Sequence, residues 1–380
     1  MKKKQNLTPD SKQSSKHNIQ DINIIDLENP DGDISNTETA ADDDDDSMEQ
    51  EPEKRGFHFS IHTAVHLVLL AIVAAIIIII SYRATHFGQH ISQKDIFSDG
   101  EGTYSNDYDE ILPVVDADGN IISPGTGEDL TILMLGNSPL SDDRDSKDGL
   151  ANMIAERTGA NVINCAVSDS YMTAIRIHFR ADLKPMDAFT PYWLLSLTVT
   201  DAIDFYFEDA LENMGENAPP EAREVFETLS TLDMNTVDVV VFMYDGADYL
   251  LGRNIYNDND PADIQTFTGN MEASIELLQN SFPHIRIIVM SPAYAFGVDD
   301  NGNYISSDIK IYNGQHFLST YVIKQYESCL NRGVTFVDNI YGTITEDTAP
   351  QYLTDNIHLN VEGRKLMADR FIYALTYYDY

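Results

Sequence analysis

Five short apolar runs recur after residue 130: Thr131 to Leu135 (TILML), Asn161 to Cys165 (NVINC), Val237 to Met243 (VDVVVFM), Ile285 to Met290 (IRIIVM) and Val334 to Val337 (VTFV). Helical patterns separate or follow them, near Asp148 to Thr158, Asn270 to Ser281, Gln315 to Arg332 and Val361 to Tyr377. Runs this short, and without a polar face, suit strands buried on both sides. A helix's length of chain between strands returns each one parallel to the last. The alternation therefore predicts an α/β domain over residues 131–380, with a central parallel sheet of about five strands under helices on both faces. Met172 to Thr236 is too long for an ordinary crossover and predicts a helical insertion, residues 172–236, over one end of the sheet.

The chain ahead of this domain is of a different kind. Residues 1–56 hold few large apolar side chains and carry Asp42 to Asp46, Glu49, Glu51 and Glu53, the pattern of a disordered acidic tail. Its one apolar island, Ile22 to Leu27, could dock a cytoplasmic partner, although chance explains it better. From Phe59 to Tyr82 no Asp, Glu, Lys or Arg occurs over 24 residues. As a helix that run crosses a hydrocarbon core of about 30 Å, which predicts one transmembrane helix over 59–82. Its depth in the chain, with no small-residue cleavage site after it, marks a retained signal anchor. Lys54 and Arg55 nearly balance Arg83 and Lys94, and Lys2 to Lys4, Lys12 and Lys16 tip the N-terminus inside. Residues 83–130 read as a juxtamembrane stalk with one hairpin around Ile111 to Ile122.

A formal net charge of -38 excludes binding nucleic acid by phosphate neutralisation, which needs clustered Lys and Arg. Cys165 and Cys329 are spaced as neither a metal site nor a redox pair. An outer domain without disulfides suits a bacterial surface.

In open parallel sheets the chemistry gathers in loops at the carboxyl ends of the strands. The first strand ends in Leu135-Gly136-Asn137-Ser138, the second in Asn164-Cys165-Ala166-Val167-Ser168-Asp169, and the third in Tyr244-Asp245-Gly246-Ala247-Asp248-Tyr249. Near the C-terminus stand Asp355-Asn356-Ile357-His358-Leu359-Asn360, then Gly363 and a last amphipathic helix. A serine, a histidine and an aspartate are what nucleophilic acyl transfer needs to turn a weak alcohol into a nucleophile. Asp142, Asp143 and Asp145 could hold a cation, although a solvated loop explains them. Tyr244, Tyr249 and Trp193 could line a sugar or acyl pocket, and core packing explains them equally well.

Residues 131–380 resemble the SGNH, or GDSL, hydrolase family. Its Gly-Asp-Ser block appears as Gly136-Asn137-Ser138, and its Asp-x-x-His block as Asp355 to His358. The resemblance implies a flavodoxin-like three-layer domain, with Ser138 as nucleophile, His358 as general base and then acid, and Asp355 orienting the histidine. It implies an ester substrate attacked through an acyl-enzyme, and no metal or organic cofactor.

Two blocks depart from the family pattern. Where a glycine usually follows the second-block serine, Asp169 follows Ser168, and where Gly-x-Asn-Asp is usual the chain has Asp245-Gly246-Ala247-Asp248. The oxyanion donors implied are backbone N–H groups of Ser138, Asp169 and Gly246 or Ala247, since Ala247 has no side-chain donor. Loss of one donor typically costs about a hundredfold in turnover. A substitute donor, a substrate carrying its own stabilisation, or a silent site would each account for it. The expectation is a membrane-anchored esterase or acyltransferase outside the cell, acting on ester groups, such as O-acetyl, of an envelope glycan or lipid. The alternative is an SGNH-fold binding or scaffold protein coupling a surface polysaccharide to the cytoplasm.

Overall fold

The computed structural model describes residues 108–115, 121–122, 127, 129–299, 301–341 and 343–378. The acidic tail, the expected transmembrane helix and most of the expected stalk lie outside the described residues. Among the described residues no helix is long and apolar enough to cross a membrane.

The five expected strands form one parallel sheet: β1 (Thr131–Gly136), β2 (Asn161–Asn164), β3 (Val239–Met243), β4 (Arg286–Met290) and β5 (Thr335–Val337). Their order is 2-1-3-4-5, with β1 paired to β2 on one side and β3 on the other. Strand order reverses at β1, so its carboxyl end opens onto the crevice where such sheets place their sites.

Alternation along each strand divides the core in two. Leu133, Leu135, Val240, Phe242, Ile287, Val289 and Phe336 point to one face. Ile132, Met134, Val239, Val241, Met243, Ile288, Met290 and Val337 point to the other. Both sets are apolar because both faces are covered, which is why these strands read as continuous hydrophobic runs. The second face is closed by α2 (Leu150–Thr158) and α10 (Val361–Thr376), through Leu150, Ile154, Met367 and Phe371. On the first face lie α7 (Phe267–Ser281) and α8 (Leu318–Arg332).

Residues 172–236 carry α3 (Pro191–Ser196), α4 (Asp204–Met214) and α5 (Ala222–Thr231). Their apolar stripes, Leu194 and Leu195, Phe207 and Leu211, Val225, Phe226 and Leu229, join the core of the first face. They therefore pack on that face of the sheet. Phe207 stacks on Phe226 with ring centroids 5.4 Å apart.

The stalk expectation needs correction at its C-terminal part. Glu110 forms an antiparallel bridge with Phe336 of β5, exchanging two backbone hydrogen bonds of 2.9 Å. Leu112 N donates to Thr335 Oγ1 at 3.0 Å, and Arg370 reaches Asp109 Oδ1 at 2.6 Å. This segment covers the otherwise open edge of the sheet, a place where unpaired backbone groups invite unwanted partners. The following pair, Val114 with Ile122 and Val115 with Ile121, is a two-residue antiparallel ribbon. The turn-rich composition of residues 88–130 hid this docking, because its backbone bonds need no particular side chain and its side-chain partners, Thr335 and Arg370, lie more than 200 positions away.

Candidate active site

Gly136 ends β1 where the chain passes against β3: a Cβ there would stand 2.0 Å from the Met243 carbonyl oxygen and 3.0 Å from Leu140 Cδ1. Only glycine permits that approach, and it lets the next two residues turn out over the sheet. Asn137 stands just before the single-turn helix α1 (Ser138–Ser141), whose first residue is Ser138, 8% exposed.

Asn137, to which sequence reasoning gave no role, is 1% exposed. Its Nδ2 donates to Asp245 Oδ1 at 2.8 Å and to the Ser170 carbonyl at 3.0 Å, and its Oδ1 accepts from Asp245 N at 2.9 Å. One amide thus ties together the ends of β1, β2 and β3. Asp245 Oδ1 also accepts from Ala247 N at 2.9 Å, at the start of α6 (Ala247–Leu250). The Ser138 hydroxyl lies near enough to the Asp245 carboxyl to act on its ionisation. Burial pushes its pKa above the ordinary carboxyl value, against the hydrogen bonds from Ala247, Asn137 and Ser138 and the charge of His358.

The histidine loop is closed by its own backbone. Leu353 bridges Leu359, Thr354 N donates to the His358 carbonyl at 2.8 Å, and Asn360 N donates to the Tyr352 carbonyl at 2.9 Å. Asn360 caps α10 through Oδ1, which accepts from Gly363 N at 2.9 Å. A Cβ on Gly363 would stand 2.3 Å from the Tyr352 carbonyl oxygen, which explains a glycine in the first turn of the helix.

Within this loop Asp355 turns back on the histidine. Its Oδ2 lies 2.7 Å from His358 Nδ1, while Oδ1 accepts from His358 N at 2.8 Å and Ile357 N at 2.9 Å. Burial opposes the charged forms of both, but their mutual contact outweighs it. His358 is held above its ordinary value by Asp355, aided by the charges of Asp142 and Asp245. Asp355 is held below its ordinary value, burial being overcome by the hydrogen bonds from His358 and Ile357. The imidazole is about two fifths exposed and so open to solvent.

Ser138 and His358 are brought to the same mouth of the sheet through shared neighbours. Asp142 N donates to the Ser138 carbonyl at 2.9 Å, and the Asp142 and Asp245 carboxyls both act electrostatically on His358. Among the described hydrogen bonds none joins the Ser138 side chain to His358, although the hydroxyl lies close enough to Asp245 to lower its pKa. Arg364, 3% exposed, pins the two loops together: Nε donates to Asp148 O and Nη1 to Leu359 O, each at 2.8 Å, and Nη2 contacts Asp143. Sequence reasoning missed Arg364, whose signal was a charged residue beside Gly363 in the first turn of a helix otherwise packed on the sheet.

The expected oxyanion donors divide. Asp169 has φ +57, a left-handed conformation natural to glycine, the residue that the resemblance would put there. Among the described hydrogen bonds the N–H groups of Ser138, Asp169 and Gly246 donate to nothing. Ala247 N–H is already given to Asp245, which removes it from the set of donors. Gly246 is required by Ala295, whose Cβ would lie 2.6 Å from one placed there. Asp248 accepts from Met172 N at 2.9 Å and Thr173 N at 3.1 Å and fixes the segment after β2; burial raises its pKa to about 6.

Other candidates fall away from this centre. Asp143 pairs with Arg364, and among the described residues no cluster of three or more His, Cys, Asp or Glu could hold a metal ion. Tyr244 and Tyr249 are core residues. Trp193 borders a separate cleft of about 430 Å³ with Tyr192, Ile177 and Asp263, and no residue of the serine and histidine loops lines it.

No family model matches the chain, and no curated protein matches it. Among solved structures, the chain is similar to a protein from Lactobacillus plantarum at 16% identity and a TM-score of 0.42, over 67% of this chain and 98% of the other. It is also similar to a carbohydrate acetylesterase from Sinorhizobium meliloti, at 12% identity and a TM-score of 0.34, over 64% of this chain and 98% of that one. A member of the lipolytic G-D-S-L family from Veillonella parvula matches at 13% identity and a TM-score of 0.35, over 64% and 96%. Likeness at this level fixes neither activity nor substrate.

Proposed function

We propose that residues 131–380 form a serine esterase or acyltransferase of SGNH type, with Ser138 as nucleophile, His358 as general base and acid, and Asp355 as the residue that orients it. The observation that carries the reading is the Asp355 clasp on His358, 2.7 Å at Nδ1 and 2.8 Å at the backbone N. A carboxylate held this way keeps the proton on Nδ1 and leaves Nε2 as the base. Ser138 Oγ then attacks an ester carbonyl as its proton passes to Nε2. The imidazolium returns that proton to the departing alcohol, leaving an acyl-enzyme. Water gives hydrolysis and a second alcohol gives transfer from the same intermediate.

The predicted anchor at 59–82 would hold this domain on the outer face of a cell membrane, N-terminus inside, with an envelope glycan or lipid as the source of O-acyl esters. The acidic tail would be left to a cytoplasmic partner. A second reading, a catalytically silent binding protein, draws on one observation: Ala247 N–H is given to Asp245 and is lost as an oxyanion donor.

The full-length protein with p-nitrophenyl acetate separates the two. The enzyme reading expects turnover that disappears in Ser138→Ala, and covalent labelling of Ser138 by a fluorophosphonate. Absence of both would leave the binding reading.

A further inference from the structure

Asp245 is a buried carboxyl at the nucleophile, in the block where the expected asparagine donor is replaced by Ala247. Its two oxygens are unequally used. Oδ1 accepts from both Asn137 Nδ2 and Ala247 N, at 2.8 and 2.9 Å. Those two bonds fix the rotamer, and among the described hydrogen bonds they are all on Oδ1, while the Ser138 hydroxyl is near enough to act on the carboxyl. An ionised carboxylate so placed would repel the negative charge that develops on an ester oxygen when Ser138 attacks. A neutral acid in the same place would donate to it. A carboxyl kept neutral by an apolar setting is a known way to supply such a donor.

We propose that Asp245 is the side-chain oxyanion donor of this site, acting in its acid form in place of the asparagine that Ala247 does not provide. The inference rests on Ser138 being the nucleophile. In the step concerned, a bond forms between Ser138 Oγ and the ester carbonyl carbon, and the carbonyl π pair moves onto oxygen. The Ser138 proton goes to His358 Nε2, and Asp245 retains its own proton while sharing it with the new oxyanion. On collapse the oxygen pair re-forms the carbonyl, the ester C–O bond breaks, and the alcohol leaves with the proton from His358.

The groups around Asp245 act in both directions. Burial raises its pKa, while Ala247 N–H, Asn137 and Ser138 lower it, as does the charge of His358. Asp142 and Tyr171 also lie within electrostatic reach of it. The active form needs His358 neutral and Asp245 protonated. Rate therefore rises with pH as His358 loses its proton and falls as Asp245 loses its own. Where the second ionisation precedes the first, only a minority of molecules carries both states at once.

The test is kcat and KM for p-nitrophenyl acetate from pH 5 to 9.5 with the full-length protein and two variants. Asp245→Asn keeps the shape and the donor but cannot ionise, so the alkaline fall should disappear and kcat/KM at pH 9 should exceed wild type several-fold. Asp245→Ala should lower kcat about a hundredfold or more with KM little changed. Asp245→Asn as impaired as Asp245→Ala would overturn the proposal, because the carboxylate rather than its proton would then be required. Asp245→Ala at the wild-type rate would overturn it as well. Fluorophosphonate labelling of Ser138 in each variant reports an intact pocket and nucleophile. Labelling with the wrong variant pattern refutes Asp245 alone, whereas wild type that neither labels nor turns over refutes the serine reading and this inference with it.

Discussion

Asn137 and Asp245 exchange two hydrogen bonds across the ends of β1 and β3, amide to carboxyl at 2.8 Å and backbone N–H to amide oxygen at 2.9 Å. Each is the complement of the other: the amide supplies a donor that a buried carboxyl needs, and no ion has to be neutralised. The two positions are physically coupled, since an aspartate at 137 would set two buried carboxyls against each other.

That coupling predicts the behaviour of Asn137→Asp. Two carboxyls at hydrogen-bond distance cannot both ionise, so one holds its proton well above the ordinary pKa. A group whose folded pKa is raised binds more protons folded than unfolded. Its stabilising effect is present below the unfolded pKa of about 4 and is lost as pH rises through the folded value. The variant should therefore lie nearest wild type in urea near pH 4, short of it by the lost bond to the Ser170 carbonyl, and fall further behind toward pH 8. A stability difference independent of pH would contradict the pairing.

Asp355→Asn should act on rate and on pH together. Without its carboxylate, His358 loses the hydrogen bond and charge that hold its pKa up, so the acid limb of kcat/KM should move to lower pH. The amide also favours the wrong tautomer, and kcat should fall by about four orders of magnitude. Measuring the limb by steady-state kinetics checks both. A limb that stays in place would mean that another group titrates there.

Much of this was legible in the sequence, for reasons that particular residues make plain. Val239 to Met243 and Arg286 to Met290 are buried on both faces and read as strands without any partner being known. Asp355 and His358 are three apart, and contacts so local survive in one dimension. Asn137 with Asp245 is separated by 108 positions and Arg364 with Asp143 by 221, so neither pairing leaves a spacing to read. The docking of Glu110 on Phe336 is carried by backbone atoms alone, which a sequence does not distinguish.

Gly136→Ala tests the close approach beneath the serine. The added Cβ would meet a backbone carbonyl of β3 at 2.0 Å, and a backbone in the middle of a sheet has nowhere to go. A loss of about 3 kcal/mol or more is expected, with β1 and β3 forced apart. The urea midpoint measures it, and a shift below about 1 kcal/mol would show that the sheet gives way more easily than its packing implies.

Arg286 presents the sharpest local conflict, a charged residue opening an apolar strand and only 4% exposed. Its Nη1 donates to Leu375 O at 2.9 Å and Nη2 to Ala374 O at 2.8 Å, capping the last turn of α10. That turn carries carbonyls without helical partners and the negative end of the helix dipole, so a buried cation is stabilised where it would otherwise be costly. Arg286→Met keeps the stem and leaves those carbonyls unpaired, with an expected loss of about 2–4 kcal/mol. Arg286→Lys keeps the charge but not the two-pronged geometry, and should recover about half of that. Because α10 follows directly from the His358 loop, the Met variant should also expose that helix to hydrogen exchange before the sheet. If the Met variant melted with the wild-type midpoint and the same exchange order, the guanidinium would be a passenger and the carbonyls would be satisfied by water.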